Sequence, residues 1–261
     1  MRVGLVSLNQ HWEDKNANFQ DCSRHVNEAK KFAAELIIFP EMTLTGFSMD
    51  STKLAEPIHN SKSLELFKDM AQTHSIAIQF GLTISENSCY YNCSITLDQN
   101  GEIISNYRKM HPFSFANENR YFCAGDKLSN FSYLGVNFGS TICYDLRFPE
   151  IYSALSKKSQ AIINIANWPT KRIDHWRKLM MARAIENQVF LIGVNRTGID
   201  GNLINYQESS MIVDPSGIQL DALYQKHPLY IYDVDFDAAE AYRADFPTFQ
   251  DRRPDLYKKY I

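Results

Sequence analysis

Short, nearly continuous apolar runs are the feature that most limits how this chain can fold. Leu36–Phe39 is apolar throughout, and Ala161–Ala166 is interrupted only by Asn164. Runs of this length suit strands that are buried on both faces, and such strands must be covered by further layers of structure. The sequence therefore indicates an α/β fold whose strands lie inside the molecule.

Helical spacing appears between these runs. Apolar residues recur every three or four positions after Asn16 and Asn18, either of which could cap a helix. The same spacing returns across Lys171–Asn187. Strands thus alternate with helices, which is the order expected of an α/β domain.

Two turn sequences predict hairpins within the same chain. Asp98–Gly101 and Asp214–Gly217 both combine Asp with a closing Gly, and the second lies between the predicted arms Ser209–Val213 and Ile218–Leu223. Hairpins together with strand–helix units predict mixed sheets. No linker rich in Gly, Ser or Pro divides the chain, so we expect one domain over residues 1–261.

Composition excludes several classes of partner. The formal net charge of −3 gives no basis for binding nucleic acid or an anionic membrane. Arg2–Leu8 is too short an apolar run for a secretory signal, and no stretch reaches the ~20 residues of a membrane span. We therefore expect a cytoplasmic protein that binds a small molecule.

The cysteines support the same expectation. They are five in number and scattered, and Cys89 and Cys93 have no second Cys/His pair with which to complete a zinc site. The sequence predicts reduced thiols, no metal and no cofactor.

The segment Val136–Glu150 carries the cysteine of greatest chemical interest. A predicted strand stops at Cys143, and the chain then turns into a predicted helix, Phe148–Ser156. Backbone N–H groups converge at such a turn, where they favour a thiolate and can stabilise an oxyanion. A cysteine after an apolar run is more often a core residue, so Cys143 needs partners elsewhere to be functional.

Three other polar residues follow predicted strands: Glu41, Lys109 and Asn167. In open α/β folds ligand sites gather beyond the carboxyl ends of the strands. Taken singly, Glu41 and Lys109 suit a solvated turn and an ordinary surface lysine. Their occurrence together with Cys143 predicts a catalytic group.

The chemistry of amide hydrolysis gives each residue a role. Glu41 could take the thiol proton of Cys143 and later pass it to the departing amine, which leaves a thioester for water to hydrolyse. Lys109 could stabilise the thiolate and then the oxyanion, together with the backbone N–H of Tyr144. Glu118 could orient Lys109 or the substrate, although its spacing fits a surface residue equally well.

Three segments resemble the signature blocks of the nitrilase superfamily of carbon–nitrogen hydrolases: Phe39–Glu41, Tyr107–His111 and Ile142–Pro149. The resemblance implies a Glu–Lys–Cys triad and a four-layer αββα sandwich of two mixed sheets. It also implies that Glu118 matches an additional active-site glutamate of several members. The resemblance continues through Asn167–Pro169, Ala182–Gln188, Asn195–Gly198 and Asp214–Gly217.

Within that superfamily the chain looks most similar to the ω-amidase branch. The implied reaction is hydrolysis of the terminal amide of 2-oxoglutaramate or 2-oxosuccinamate, with release of ammonia. Nitrilases and N-carbamoyl amide hydrolases share the triad and remain alternatives. A papain-like enzyme using His111 or His175, and a thiol redox sensor on the same fold, are the readings from other classes.

The substrate-binding residues are expected around the predicted turn. Arg147 could hold a substrate carboxylate through two parallel hydrogen bonds, or it could form a salt bridge with Asp145 or Glu150. Trp168 and Tyr144 could close the pocket around a short acyl chain, and Asn167 is a further substrate-binding candidate.

A homodimer is the expected assembly. Trp176, Leu179 and Met180 share a helical face, and with the aromatic tail they offer more apolar surface than one sandwich obviously covers. The alternative is that they pack on their own sheet. The resemblance implies pairing through the helix after Cys143 and the Lys171–Asn187 helix. The aromatic residues of the tail are Phe246, Phe249 and Tyr257.

Overall fold

The computed structural model describes residues 1–260. In chain order the strands are β1 (Arg2–Val6), β2 (Leu36–Ile38), β3 (Glu56–Pro57), β4 (Ala77–Glu86), β5 (Cys89–Leu97), β6 (Ile103–Arg108), β7 (Asn130–Tyr133), β8 (Val136–Ile142), β9 (Ala161–Ala166), β10 (Phe190–Asn195), β11 (Gly198–Ile199), β12 (Asn205–Tyr206), β13 (Met211–Val213), β14 (Tyr224–Lys226) and β15 (Leu229–Asp233). The α-helices are α1 (Lys15–Lys30), α2 (Ser51–Leu54), α3 (Lys62–His74), α4 (Pro149–Leu155), α5 (Ile173–Asn187), α6 (Ala238–Asp245) and α7 (Pro254–Tyr257).

Most strands belong to two mixed sheets. The first has the order β14-β15-β1-β2-β4-β5-β6, with β3 beside β4, and the second has the order β13-β10-β9-β8-β7. Pairing is parallel in β1–β2–β4 and in β8–β9–β10, and antiparallel toward the outer strands. β11 and β12 form a small separate ribbon.

The two sheets face each other, and helices cover their outer faces. Leu36 and Ile38 of β2 point toward the second sheet, whereas Ile37 points toward α1 and α3, as the alternation of a strand requires. On the other side α4 and α5 pack against the second sheet. The predicted four-layer αββα sandwich is confirmed, and β2 is buried on both faces as its apolar run predicts.

The helix α5 uses its apolar face to cover its own sheet. Trp176 and Met180 are fully buried. They lie so close to Gly193 of β10 that a Cβ atom there would come within 2.6 Å of the Trp176 ring. The prediction that this face is surplus surface for a partner is therefore wrong. The tail is different, because Phe246 is 59% exposed and Tyr257 is 46% exposed.

The predicted cap of α1 is also wrong. Asp14, rather than either asparagine, caps α1 by accepting the N–H of Ala17 at 3.0 Å. Asn18 is instead buried, and its side chain donates to the carbonyls of His11 and Leu44. These two hydrogen bonds satisfy the buried amide N–H groups of Asn18.

The second predicted hairpin forms only in part. Its turn closes through the N–H of Gly217 and the carbonyl of Asp214, and the N–H of Leu220 still reaches the carbonyl of Ile212. Beyond that point the arm leaves its partner, because Tyr224–Lys226 pairs with β15 at the edge of the first sheet. The apolar pattern of this segment did not reveal that it changes sheets.

A disulfide joins Cys89 and Cys123, so the prediction that all thiols are reduced is wrong. The N–H of Cys123 donates to the carbonyl of Tyr90 at 2.8 Å, which returns the chain to the start of β5 and brings the two Cα atoms within 5.9 Å. Sequence spacing cannot reveal that approach. Because disulfides are uncommon in the cytosol, the cytoplasmic location loses one of its supports and stays a prediction.

No helix in residues 1–260 combines the length and the apolar character that crossing a membrane requires.

Candidate active site

Four polar residues predicted to form the site come from the ends of strands in both sheets. Lys109 follows β6, Cys143 follows β8 and Asn167 follows β9, while Glu41 lies in the turn after β2. Gly81 of β4 permits that turn, since a Cβ atom at this position would lie 2.2 Å from the backbone nitrogen of Met42. The sheets therefore bring Glu41, Lys109 and Asn167 together around the Cys143 turn.

Lys109 is held between two carboxylates in the interior. Its Nζ atom lies 2.8 Å from Oε1 of Glu41 and 2.8 Å from Oε2 of Glu118. Lys109 is 1% exposed, and the two glutamates are fully buried. Buried charges persist only when they are paired and hydrogen-bonded, and here one positive and two negative charges give the cluster a formal charge of −1. Glu118 is thus part of the site and not a surface residue.

Asn92 of β5 connects the two carboxylates and was missed by sequence reasoning. Its Nδ2 atom donates to Oε1 of Glu41 at 2.7 Å and to Oε1 of Glu118 at 2.9 Å. The backbone N–H of Asn167 donates to Oε2 of Glu41 at 2.9 Å, and that of Phe113 donates to Oε2 of Glu118 at 2.6 Å. Each carboxylate is therefore fixed by hydrogen bonds to both of its oxygens.

Cys143 has a strained backbone at the start of a turn. Its φ angle is +45°, in the left-handed region that residues with a side chain seldom adopt, and it begins a 3₁₀ turn over Cys143–Arg147. The Sγ atom lies 3.8 Å from the carbonyl oxygen of Asn167. A residue with a side chain keeps such a conformation only where surrounding contacts hold it in place.

Asp145 supplies those contacts. Its carboxylate accepts the backbone N–H of Ile142 at 2.9 Å, the hydroxyl of Tyr107 at 2.8 Å and the backbone N–H of His111 at 3.1 Å. The ring of His111 also lies 2.7 Å from this carboxylate and stacks on Phe148. Asp145 thus anchors the turn from inside, and His111 braces the turn instead of contacting the sulfur.

Burial and charge determine the protonation of Cys143. Burial, and then the Glu41 carboxylate, raise the pKa of the Cys143 thiol well above its usual range, although Lys109 opposes them. This is the opposite of the expected effect of the backbone dipoles. Cys143 consequently rests as a thiol, so any nucleophilic role for its sulfur requires a base.

The same environment acts on the charged partners. Burial disfavours the ammonium of Lys109, but Glu118 and Glu41 together outweigh it and raise the pKa of Lys109. Burial also raises the pKa of Glu118, against the opposing charge of Lys109. Lys109 therefore stays protonated and provides a fixed positive charge behind the sulfur.

A cavity of about 310 Å³ opens over Cys143. All four predicted substrate-binding residues line it, whereas Glu41, Lys109 and Glu118 are buried outside the lining. Sequence reasoning missed most of its walls, which come from loops and from the β12 ribbon. The lining consists of Phe47, Met49, Phe113, Ala116, Cys143, Tyr144, Arg147, Asn167, Trp168, Pro169, Arg172, Asn202, Ile204 and Tyr206.

Arg147 faces this cavity and does not brace the turn. Within residues 1–260 it forms no ion pair with Asp145 or Glu150, the two partners that the alternative required. Its guanidinium lies 4.8 Å from the centre of the Trp168 ring, and its Nη2 atom lies 3.3 Å from Nδ1 of His175. The Arg147 charge is therefore available to a ligand.

The chain resembles known proteins over almost its full length. Residues 2–244 match the family model described as carbon-nitrogen hydrolase. Over 226 residues the chain is 33% identical to the 2-oxoglutaramate amidase of Bacillus subtilis (strain 168). The alignment covers 86% of this chain and 87% of that protein. It is 30% identical to omega-amidase YafV of Yersinia enterocolitica over 252 residues, with 96% of each chain covered.

A solved structure shares the fold. It is a CN-hydrolase superfamily protein from Xanthomonas campestris with an arsenic adduct in its active site. The TM-score is 0.90 at 26% identity, and the superposition covers 97% of each chain. The similarity therefore includes both sheets and the helices outside them.

Proposed function

The chain belongs to the carbon–nitrogen hydrolase family, the nitrilase superfamily that its motifs predict, and we propose that it is an ω-amidase acting through a thioester on Cys143. The observation that carries this proposal is the placement of Lys109 between Glu41 and Glu118, close to a cysteine that lines a small cavity. This arrangement supplies a nucleophile, a base and a fixed positive charge.

The reaction begins with proton transfer from Cys143. Oε2 of Glu41 has its closest donor at 2.9 Å, the N–H of Asn167, so it keeps capacity to accept the thiol proton. The sulfur attacks the amide carbon, and the resulting oxyanion is stabilised by Lys109 and by the backbone N–H of Tyr144. Glu41 then returns its proton to the nitrogen, the C–N bond breaks and ammonia leaves.

Water completes the cycle. Glu41, again a carboxylate, takes a proton from the water that attacks the thioester, and the same two donors stabilise the second oxyanion. When the C–S bond breaks, Glu41 returns the proton to the sulfur and the free acid leaves. Glu118 and Asn92 act as positioning residues, because Glu118 accepts a hydrogen bond from Lys109 and Asn92 donates to both Glu41 and Glu118.

The cavity favours a short, negatively charged substrate. Its volume of about 310 Å³ suits a small molecule, and Arg147 adds a positive charge to its lining. The similarity to a 2-oxoglutaramate amidase agrees with that chemistry. We therefore favour 2-oxoglutaramate or 2-oxosuccinamate, with nitriles and N-carbamoyl compounds as alternatives that use the same catalytic residues.

Two alternative functions, a papain-like hydrolase and a thiol redox sensor, receive less support. In the part of the chain that the structure describes, His111 is bound to Asp145 and His175 contacts Arg147, so neither serves Cys143 as in a papain-like enzyme. A redox sensor needs a thiol that ionises readily, whereas burial raises the pKa of Cys143.

The substrate is tested by trapping the acyl group on the enzyme. Protein quenched in acid during turnover of 2-oxoglutaramate should gain the mass of the 2-oxoglutaryl group, and Cys143→Ala should gain none. Parallel assays with a neutral amide, a nitrile and an N-carbamoyl amine of similar length should give lower kcat/KM. A nitrile or N-carbamoyl compound that exceeds the charged amide would contradict the assignment.

We also propose a homodimer that pairs through α4, α5 and the tail. The support is the exposure of Phe246 and Tyr257 in the tail and of Ile185, 52% exposed, on α5. Light scattering at micromolar concentration should give twice the mass of one chain. Replacement of Ile185 by Lys should shift the equilibrium toward monomer, and a wild-type protein that is monomeric throughout would refute the proposal.

A further inference from the structure

The charged residues of the cavity lining are all positive. Arg147 and Arg172 are its two charged members, and no Asp or Glu belongs to the lining formed by the described residues. Arg172 ends the 3₁₀ turn Thr170–Arg172, just before α5. Its backbone carbonyl accepts the Nε1–H of Trp168 at 2.7 Å, which fixes this backbone beside the cavity wall.

Aromatic rings support both guanidinium groups. Arg147 lies over Trp168 at 4.8 Å, and Arg172 lies 5.5 Å from the centre of the Phe113 ring. Among residues 1–260 neither guanidinium forms a salt bridge with a carboxylate. Each guanidinium has five N–H donors, and Arg147 directs one nitrogen, Nη2, toward Nδ1 of His175, so further donors remain for a ligand.

The positive charges of the two guanidinium groups also interact. Burial lowers the pKa of Arg147, and the charge of Arg172 lowers it further. Two like charges at one partly buried cavity repel each other, and an anion between them removes the repulsion while it accepts hydrogen bonds from both. One carboxylate has enough acceptor sites for two guanidinium groups.

We propose that Arg147 and Arg172 together bind the carboxylate at the far end of the amide substrate, which makes Arg172 a second specificity-determining residue. This inference rests on the proposed ω-amidase function and deepens it. The substrate class is then a short amide with a carboxylate opposite the reacting end. Arg172 selects that class by its charge and takes no part in the bond-breaking steps at Cys143.

Steady-state kinetics of Arg172→Gln test the inference. KM for the carboxylate-bearing amide should rise on the order of tenfold to a hundredfold, the effect of losing a charged hydrogen bond, while KM for a neutral amide of equal length stays unchanged. Lys171→Gln is the matched control, because it removes the same charge from an exposed neighbour outside the lining. Equal rises in KM for both amides would overturn the inference.

The double variant tests whether one carboxylate contacts both arginines. If it does, the changes in KM for Arg147→Gln and Arg172→Gln should not multiply in the double variant, since the groups share a partner. Multiplying effects would overturn the shared site. Arg172→Lys keeps the positive charge but loses the planar guanidinium with its paired N–H donors, so its KM should lie between those of wild type and Arg172→Gln. A KM as high as that of Arg172→Gln would also count against a charge-based role.

A binding measurement separates failure of this inference from failure of the proposed function. Calorimetry with glutarate and the Cys143→Ala protein needs no turnover, so it reports on the two arginines even if no amide is hydrolysed. Glutarate should bind to Cys143→Ala, and its affinity should fall on the order of tenfold or more when Arg172→Gln is added but not when Lys171→Gln is added. Equal affinity in all three proteins would overturn the carboxylate site.

Discussion

Replacement of Cys143 by alanine is expected to lower kcat by about 10⁴-fold to 10⁶-fold and to leave the fold intact. Losses of this size follow removal of the nucleophile from a group of residues that act as a unit. The Cys143 side chain faces the cavity, so its loss leaves no void in the hydrophobic core. Steady-state amide hydrolysis and the thermal midpoint of the same preparation measure the two effects.

A second cysteine provides the control. Cys22 is fully buried on α1, on the far side of the first sheet, so Cys22→Ala should reduce stability and leave the kcat of the folded protein near wild type. In the wild type, iodoacetamide should label Cys143 ahead of Cys22 and Cys93, which are fully buried. Because the pKa of Cys143 is raised, the labelling rate should keep increasing at pH values above the ordinary thiol range. Near wild-type hydrolysis by Cys143→Ala would end the nucleophile assignment.

The positions of the principal site residues could be predicted because they follow from local pattern. Glu41, Lys109 and Cys143 each follow an apolar or alternating run, and polar residues beyond strand ends meet at one edge of such sheets. The resemblance to a known family supplied their order. Glu118 could be placed only through that resemblance, because its segment consists of short 3₁₀ turns with no regular pattern.

The residues that hold the site could not be predicted in the same way. Asn92 lies within β5, and nothing in the neighbouring sequence indicates that its side chain faces two buried carboxylates. Asp145 resembles a turn residue, yet it accepts hydrogen bonds from segments more than 30 positions away. Such partners are chosen by the packing of two sheets, which is a property of the whole fold.

The walls of the cavity and the disulfide illustrate the same limit. Arg172 looks like one of several charges around the start of α5, and nothing local indicates that its guanidinium lies near Phe113 and lines the cavity. Cys89 and Cys123 are 34 residues apart, a separation that carries no information about their distance in space. Both features depend on how long loops return to the strands, which is weakly encoded in local sequence.

Glu41→Gln is expected to lower kcat by about 10²-fold to 10⁴-fold, the usual contribution of a general base and acid. The amide keeps the size of the side chain and one acceptor oxygen, which can serve Lys109 or the Asn167 N–H but not both, because these donors contact different oxygens of Glu41 at 2.8 and 2.9 Å. It cannot take up the thiol proton of Cys143 or pass one to the leaving nitrogen. The fold should therefore survive while both acyl transfer steps become slow.

Glu118→Gln is the matched comparison, because the same substitution then falls on the other carboxylate of Lys109. Both glutamates lie 2.8 Å from Nζ, and both are fully buried, so each variant leaves Lys109 with one carboxylate and changes the cluster from a formal charge of −1 to neutral. Any effect of charge on stability should thus be similar in the two variants. Only Glu41 is assigned a proton transfer, so kcat should fall further in Glu41→Gln than in Glu118→Gln. Equal kcat values at equal thermal midpoints would show that Glu41 merely positions Lys109, and the base would then have to be sought elsewhere around Cys143.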